Sequence, residues 1–424
     1  MRIAFTTLGC KINQFETDAL QQDLISRGNV VVPFDAEADV YIINTCSVTA
    51  RSDTQSRQVI RSAVRRGNGA NVVVTGCYAE MRPEEIWKIP GVGLVIRNRD
   101  KTRISDKVMS MVSASGSDRL PASENVLNAM HTRTRGFLKI QDGCDNRCSY
   151  CIVPLARGGS RSATPGDVLR EFKCLVDRGC PEIVLTGVHI GIYGSDLEHD
   201  ISLTSMLQML VPSRGRTRIR LSSIEPNEIT REIVEFLGEG LCRHLHIPLQ
   251  SGDDSILSSM KRNYTSRFYE ELLEKIEKQV PGIALGADII VGYPGEGEKE
   301  FQNTMRLVER SPLTHLHVFS YSPRPGTPAA EMKGQVPELI KKERSESLRT
   351  LGMKKNLLFR KAHQGSKLKV VVENKPDRDM GLLTGLTDNY IRVMIYGAKT
   401  EDIGKKVNVS ISEVKEQGNF ALIL

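Results

Sequence analysis

The sequence predicts an α/β protein in three parts: an N-terminal parallel α/β sheet, a central partial (β/α)6 barrel and a small C-terminal antiparallel β-barrel. Three observations predict it. Strand and helix patterns alternate through the first 112 residues. Six further β–α units follow between about 134 and 335, and five short strand patterns with turn signals fill the C-terminal segment. Alternation implies parallel strands covered by helices. Short, closely spaced strands imply a small closed barrel.

The length of 424 residues allows two or three domains with real cores. Lysine plus arginine exceed acidic residues by 58 − 51 = 7, a modest excess compatible with a nucleic-acid partner. No apolar run approaches a membrane span. The opening MRIAFTTLGC reads as a strand and lacks the features of a signal peptide, so a cytoplasmic protein is expected, with no membrane partner. Nine cysteines in such a chain favour metal or redox chemistry over disulfides.

In the N-terminal region, strands are expected at 2–8, 40–43 and 72–74. Asn13 to Glu16 reads as a capping box opening a helix that stops at Gly28. Further helices are expected at 48–66 and from Pro83 to Trp87. A cysteine follows each strand: Cys10, Cys46 and Cys77. Ligands bind outside the carboxyl ends of parallel strands, so these three should converge as a metal-ligand set, one ligand short of four. The bland alternative is a small apolar residue packing at each strand end. Arg51, Arg57, Arg61 and Arg65 recur at near-helical spacing, either as a stripe facing RNA phosphates or as a solvated face. Residues 113–133 are small, polar and punctuated, a linker.

The stretch Cys144-Asp-Asn-Arg-Cys148-Ser-Tyr-Cys151 organises the chain. Asp142-Gly143 before it, and Pro154 and Gly158-Gly159 after it, mark a loop. Three thiolates on a 4Fe–4S cluster leave one iron open. An open metal position means chemistry rather than structure alone. Zinc would want a fourth soft ligand, and the next cysteine, Cys174, falls in a helical pattern.

Barrel strands are expected at 137–141, 183–188, 219–224, 245–249, 287–291 and 316–321. Active sites of barrels gather at the carboxyl ends of strands. Gly187 and His189, Ser223 and Glu225, Gln250 and the following Arg262, Asp288, and Arg324 fall at or just beyond those ends. His246, His315 and His317 alternate with apolar residues and read as satisfied histidines of a barrel wall, with a metal role as the alternative. Cys174, Cys180 and Cys242 show no ligand spacing and read as structural. A helix over 337–362 packs one apolar stripe on the barrel and ends at Gly365. Strands are then expected at 368–372, 381–384, 390–394, 406–411 and 421–424. Lys367, Lys369, Lys405 and Lys406 are candidate phosphate contacts; few aromatics argue against base stacking as the main grip.

Cys144-x3-Cys148-x2-Cys151 with Tyr150 resembles the signature of radical S-adenosylmethionine (SAM) enzymes. Thr7-Leu8-Gly9-Cys10-Lys11-Ile12-Asn13, Asn44-Thr45-Cys46 and Thr75-Gly76-Cys77-Tyr78-Ala79 resemble the N-terminal domain of methylthiotransferases. The C-terminal barrel resembles their RNA-binding TRAM domain. The resemblance covers essentially the whole chain and implies a methylthiotransferase domain at 1–112, a linker at 113–133, a radical SAM domain at 134–360 and a TRAM domain at 361–424.

That family resemblance implies two 4Fe–4S clusters and SAM. Cys144, Cys148 and Cys151 hold the catalytic cluster that cleaves SAM reductively, yielding a radical that abstracts a hydrogen no side-chain base could remove. Cys10, Cys46 and Cys77 hold the cluster that offers sulfur. Tyr150, Gly187, His189, Ser223, Glu225, Gln250, Arg262, Asp288 and Arg324 line the SAM pocket and the path to substrate. Partners are tRNA, an electron donor such as flavodoxin or ferredoxin, and a sulfur source, with the chain acting as a monomer. Asn44-Thr45-Cys46-Ser47-Val48-Thr49 and Thr75-Gly76-Cys77-Tyr78-Ala79-Glu80 look most like the branch acting on carbon 2 of N6-threonylcarbamoyladenosine at position 37 of tRNA. Other branches act on isopentenyladenosine or on a ribosomal-protein aspartate. Leu155 departs from the family, where an aromatic residue is common. A non-catalytic iron–sulfur RNA-binding protein is the alternative from another class. A flavin or nicotinamide enzyme is disfavoured by the lack of a strand–GxGxxG–helix fingerprint, and an NTPase by the lack of a Walker A loop.

Overall fold

Runs of β-branched residues build the N-terminal sheet. In the computed structural model, which describes residues 1–67, 69–113, 134–198 and 201–424, strands β1 (Arg2–Thr7), β2 (Val30–Val32), β3 (Val40–Thr45), β4 (Asn71–Gly76) and β5 (Val92–Val95) lie in the order β2-β1-β3-β4-β5. All pairs are parallel. Strands β2 and β5 add to the three expected from sequence. At three and four residues, beside Pro33 and Gly91, they carry too little pattern to read alone.

Helices α1 (Lys11–Ser26), α2 (Ala50–Gly67), α3 (Cys77–Met81), α4 (Pro83–Trp87) and α5 (Ile104–Ser113) cover the sheet. The strand period of two divides the core. Tyr41, Ile43, Val72 and Val74 pack with Ile60, Ala63 and Tyr78 on one face. Val40, Ile42 and Val73 pack with Leu24, Ile104 and Val108 on the other. The expected capping box does not open α1: the helix begins at Lys11, after Cys10, with no side-chain cap. Asn13 instead turns inward to the strand ends. The expected linker lies outside the described residues except Ser113, which closes α5.

The chain divides into two compact units that do not follow the linear order. The first holds the described residues up to 113 together with Gly143–Gly159 and Ser322–Thr327. Gly143–Gly159 contains the cysteine loop and α6 (Val153–Arg157).

The second unit contains six parallel strands with helices between them. Strands β6 (Gly136–Lys139), β9 (Glu182–Thr186) and β10 (Arg218–Leu221) pair in the order β10-β9-β6. The short ribbon β7 (Gln141–Asp142) and β8 (Arg161–Ser162) lies beside them in sequence. Strands β11 (His244–His246), β12 (Ala284–Val291) and β13 (His315–Ser320) pair in that order. Parallel bridges between Ile219 and Leu241 and between Ser223 and His246 join the two groups. All six expected barrel strands are therefore present.

Helices α7 (Pro165–Asp177), α8 (Leu203–Ser213), α9 (Arg231–Glu235), α10 (Asp254–Ser259), α11 (Ser266–Gln279) and α12 (Glu298–Arg310) intervene. Their apolar stripes, such as Tyr269, Leu273 and Ile276 on α11, pack on the outward residues of the strands. After the short α13 (Pro328–Glu331) comes α14 (Glu338–Ala362). Its buried stripe differs from the apolar one expected. Lys341, Arg344, Ser345, Leu348 and Gly352 face inward, whereas Leu339 and Leu358 are exposed. Its two cations find partners: Arg344 donates to Glu296 Oε1 at 2.8 Å, and Lys341 to Glu338 at 2.7 Å.

Strands β14 (Lys367–Pro376), β15 (Leu383–Thr387), β16 (Arg392–Tyr396), β17 (Lys406–Val414) and β18 (Asn419–Ile423) close a barrel in the order β14-β15-β16-β18-β17. Four of its five pairs are antiparallel; the pair β16–β18 is parallel. The loop at 388–390 docks this small barrel on the beginnings of β9–β11. Fully buried Glu182 is ringed by Arg220 (2.9 Å), Arg218 (2.6 Å) and Arg135 (3.3 Å). Arg220 then donates to Thr387 O and Asp388 O, both at 3.0 Å, and Arg218 to Leu386 O at 2.7 Å. Tyr390 stacks on His244 with ring centroids 4.1 Å apart.

Burial pushes the Glu182 carboxyl up, but Arg220, Arg218 and Arg135 outweigh it and hold the group far below the usual range. Its stabilising effect is therefore complete above the ordinary carboxylate pKa and is lost as pH falls toward the depressed folded value. Glu182→Gln leaves three guanidinia short of their anion and is expected to lower stability by about 3–5 kcal/mol in denaturant unfolding near neutral pH. Below about pH 4 the gap between wild type and variant should narrow.

Candidate active site

Strand register brings the N-terminal cysteines together. Thr7 of β1 lies beside Asn44 of β3, and Thr45 of β3 beside Gly76 of β4. The strand ends are thus level, and Cys10, Cys46 and Cys77 follow at one edge. Cys10 is exposed; Cys46 and Cys77 are buried, and none of these three is in a disulfide. Gly9 sets the approach. Its φ of +95° suits glycine, and a Cβ there would stand 2.9 Å from Cys46 Sγ.

The electrostatics show the same convergence. Burial pushes the Cys46 thiol up, and the neighbouring Cys77 and Cys10 push it further. Burial also pushes Cys77 up, against the cations Arg157 and Lys101. Thiolates at such a site are costly without positive charge close by. A metal centre supplies that charge and deprotonates a coordinating thiol. The donor set therefore fits a thiolate-bound cluster.

The second cysteine set belongs to the same compact unit. Cys144, Cys148 and Cys151 are partly buried, with Tyr150 half-buried among them. Cys144 N donates to Gly158 O at 3.1 Å and Cys151 N to Cys148 O at 3.0 Å, which folds the loop back on itself. Helix α6, at its end, is held by side chains of α1 and of the short helical turn that starts at Asn98. Asn98 Nδ2 donates to Ala156 O at 2.7 Å and lies 3.8 Å from Cys77 Sγ. Arg157 donates to Glu16 at 3.0 Å and to Asn13 Oδ1. Asn13 in turn donates to Leu8 O at 2.8 Å and Thr45 O at 3.0 Å, the backbone ahead of Cys10 and Cys46. Lys101 also pairs with Glu16. Sequence reasoning missed this polar belt. Its one signal, the asparagine at 13, reads as a helix cap.

Arg324 belongs to this unit as well. It donates to Asp53 at 2.5 Å and Ser47 Oγ at 3.0 Å, and Ser47 Oγ donates to Asp53 at 2.7 Å. Ser56 Oγ donates to Cys46 O at 3.0 Å. Arg324 thus steadies the segment after Cys46. Of the basic stripe, Arg57 is engaged by Tyr78 and Glu85 at 2.9 and 3.5 Å, while Arg51, Arg61 and Arg65 are exposed.

In the second unit the predicted residues sit at the strand ends. Gly187 follows β9, and a Cβ there would stand 3.0 Å from Gln141 O. The His189 backbone N–H donates to Gln141 Oε1 at 2.8 Å, and its Nε2 is 2.5 Å from Glu228. Ser223 is exposed beyond β10. Glu225 pairs with Arg262, whose guanidinium lies over the Tyr264 ring. Gln250 has φ +65°, rare for a residue with a side chain, and is pinned between Asp288 O (2.8 Å) and Ile290 N (2.9 Å). Asp288 accepts from His246 and His317. Burial pushes His315 down to about 4, helped by His317 and His246, so it is neutral at pH 7. Cys174 is exposed, Cys180 half-buried and Cys242 buried beside Glu182.

Three family profiles match successive segments of the chain. The radical SAM superfamily profile matches residues 138–308, the profile described as Uncharacterized protein family UPF0004 matches 2–96, and the TRAM domain profile matches 361–423. The chain is 41% identical to the threonylcarbamoyladenosine tRNA methylthiotransferase MtaB of Bacillus subtilis, over 96% of this chain and 93% of that protein. It is 38% identical to the protein of that name from Aquifex aeolicus, over 97% and 100%. It is 32% identical to the tRNA-2-methylthio-N(6)-dimethylallyladenosine synthase of Clostridium botulinum, over 96% and 93%. Among solved structures, the radical SAM methyltransferase TsrM from Kitasatospora setae shares the fold at 16% identity, with TM-score 0.59 over 78% of this chain and 77% of that one.

Arg157 ties α6 to the strand ends, so Arg157→Met should cost about 2–3 kcal/mol in denaturant unfolding. The loss is smaller than for a wholly broken buried pair because Lys101 still faces Glu16.

Proposed function

Because this chain belongs to the radical SAM tRNA methylthiotransferase family, we propose that it inserts a methylthio group at carbon 2 of N6-threonylcarbamoyladenosine at position 37 of tRNA. The enzyme uses SAM and two 4Fe–4S clusters. The substrate assignment is supported by identity: relatives named for threonylcarbamoyladenosine span 31–41%, four of five at 36% or more, whereas those named for dimethylallyladenosine reach 31–32%. Segments 1–112, 134–360 and 361–424 then serve sulfur insertion, SAM cleavage and RNA binding.

The observation that carries the mechanism is the bridging of both cysteine sets within one compact unit, through Asn98 and Arg157. We assign Cys144, Cys148 and Cys151 to the SAM-cleaving cluster, and Cys10, Cys46 and Cys77 to the sulfur-bearing one. Together these cofactors supply one-electron cleavage of SAM and the sulfur that is methylated and inserted. The protein supplies position and environment. Asn98 holds Cys77 and the end of α6 with one amide, so the two cysteine segments keep a fixed spacing. Burial shields the Cys46 and Cys77 side of that centre from water, while exposed Cys10 leaves its own side open.

In the barrel, Gly187, His189, Ser223 and Gln250 are assigned to SAM; Tyr150, in the cysteine loop of the first unit, is likewise assigned to cofactor binding. Glu225, oriented by Arg262, accepts from the ribose hydroxyls. Asp288 lines the path to substrate, and Arg324 acts at a distance by steadying Ser47 and Asp53.

The tRNA grip is assigned to a cavity of about 820 Å³ shared by the barrel and the small domain, lined by Arg214, Arg216, Lys367, Lys369 and Lys406. Burial pushes the Lys406 amine down, and the crowding of Arg218, Lys369 and Arg214 pushes it further. Crowded cations of this kind are relieved by phosphate. No helix among the described residues is long and apolar enough to cross a membrane. We infer a cytoplasmic enzyme, since its substrate is tRNA, with a flavodoxin or ferredoxin as electron donor and a separate sulfur donor.

Nucleoside mass spectrometry of bulk tRNA, from cells lacking the protein and from complemented cells, tests the substrate. Methylthio-threonylcarbamoyladenosine should vanish and return; a change confined to the isopentenyl form would refute the assignment. Replacing Cys144, Cys148 or Cys151 with alanine should abolish 5′-deoxyadenosine formation from SAM. Replacing Cys10, Cys46 or Cys77 should spare SAM cleavage and stop thiolation. A variant at an N-terminal cysteine that thiolates normally would sink the two-cluster assignment.

A further inference from the structure

The inner face of β11–β13 carries polar side chains that the cysteine chemistry does not use. On β12, Leu285, Ala287, Ile289 and Val291 pack with the outer helices. Gly286, Asp288 and Ile290 therefore face inward. On β13, Val318 joins that outer core and Leu316 packs against it. His317 and Phe319 accordingly face inward too. Ladder pairing sets Gly286 beside His246, Asp288 beside His317 and Ile290 beside Phe319.

One carboxylate oxygen gathers two imidazoles. Asp288 Oδ1 lies 2.9 Å from His246 Nε2 and 3.2 Å from His317 Nδ1. The rings stack with centroids 4.9 Å apart. Burial pushes the Asp288 carboxyl up, but hydrogen bonds from His246 and His317 more than reverse this, so it is an ionised acceptor. Gly286 makes room for the arrangement: a Cβ there would stand 2.7 Å from His246 Nδ1. His317 spends Nδ1 on Asp288 and keeps Nε2, on a side chain that is 58% exposed. Two residues along the strand, Phe319 is 44% exposed. An open aromatic ring next to an open, tethered imidazole suits a flat base with a polar substituent.

We propose that His317, held by Asp288 and His246, reads the polar arm of the modified adenosine while Phe319 packs on its base. This rests on the threonylcarbamoyl assignment above. That arm carries a carboxylate, a hydroxyl and urea N–H groups; a dimethylallyl arm carries none of them. A site built to hydrogen-bond an arm rejects an analogue that leaves its polar groups unpaired. His317 is the specificity-determining residue; Asp288 and His246 are positioning residues.

The test is equilibrium binding of anticodon stem–loop RNAs to the anaerobic holoenzyme. The RNAs carry threonylcarbamoyladenosine, dimethylallyladenosine or plain adenosine at the modified position. Wild type should prefer the threonylcarbamoyl RNA over plain RNA by about tenfold or more. His317→Leu should bring that preference to within about twofold while plain-RNA binding stays unchanged, which also shows that the variant is folded. Asp288→Asn, which keeps the ring but weakens its tether, should lose part of the preference. A His317→Leu protein that keeps the preference, or one that weakens equally toward all three RNAs, overturns the inference. Wild type preferring the dimethylallyl RNA would instead overturn the substrate assignment on which it rests.

Discussion

Arg157 is the contact on which the arrangement of the first unit depends. It is a buried guanidinium at the end of a five-residue helix, far too short to be stable alone. Its partners, Glu16 and Asn13, lie on α1, and Asn13 grips the backbone ahead of Cys10 and Cys46. A buried cation without its anion is expensive, so the loop is held where that anion is. The cysteine loop at 144–151 is thereby committed to the same compact unit as the strand-end cysteines, although about a hundred residues separate them in sequence.

What the sequence revealed and what it hid follow from the range of the interactions. The convergence of Cys10, Cys46 and Cys77 was legible because parallel strands carry a rule about their carboxyl ends, and the register of Thr7, Asn44, Thr45 and Gly76 obeys it. The six barrel strands were legible through their apolar runs. Strands β2 and β5 were not, since a run of three or four residues has no period to read. Asn13 was misread because a local rule for helix starts was applied to a residue whose partners are tertiary. The same holds for α14, where hydrophobicity pointed to Leu339 and Leu358 but buried ion pairs chose Lys341 and Arg344. Pairings such as Arg324 with Asp53 leave no trace in spacing at all.

The two ends of the barrel strands in the second unit are built on opposite principles. At the beginnings, Glu182 and its arginines, Arg243 with Asp388 at 2.7 Å, and Tyr390 on His244 satisfy nearly every charge and fix the small barrel in place. Such a network gains little over an apolar core in stability, but it is intolerant of misplacement. A small domain docked this way presents Lys367 and Lys369 at a defined position relative to Arg214 and Arg216. Electrostatic attraction to a phosphate backbone then acts in a set direction.

On the inner wall of β11–β13 the economy reverses. Gln250 is held at φ +65°, Asp288 draws two rings to one oxygen, and Phe319 stays open. Each of these features carries a cost in strain, in desolvation or in exposed apolar surface, and nothing in the packing of the outer helices requires them. Outward residues of the same strands, Leu285 and Ile289 among them, show what those strands do when only stability is at stake. The contrast along β13, with Leu316 and Val318 packed on one face and His317 and Phe319 open on the other, marks the inner face as the side shaped by a ligand. Its mixture of one open aromatic ring and tethered hydrogen-bonding groups matches a base with a polar arm far better than an aliphatic one.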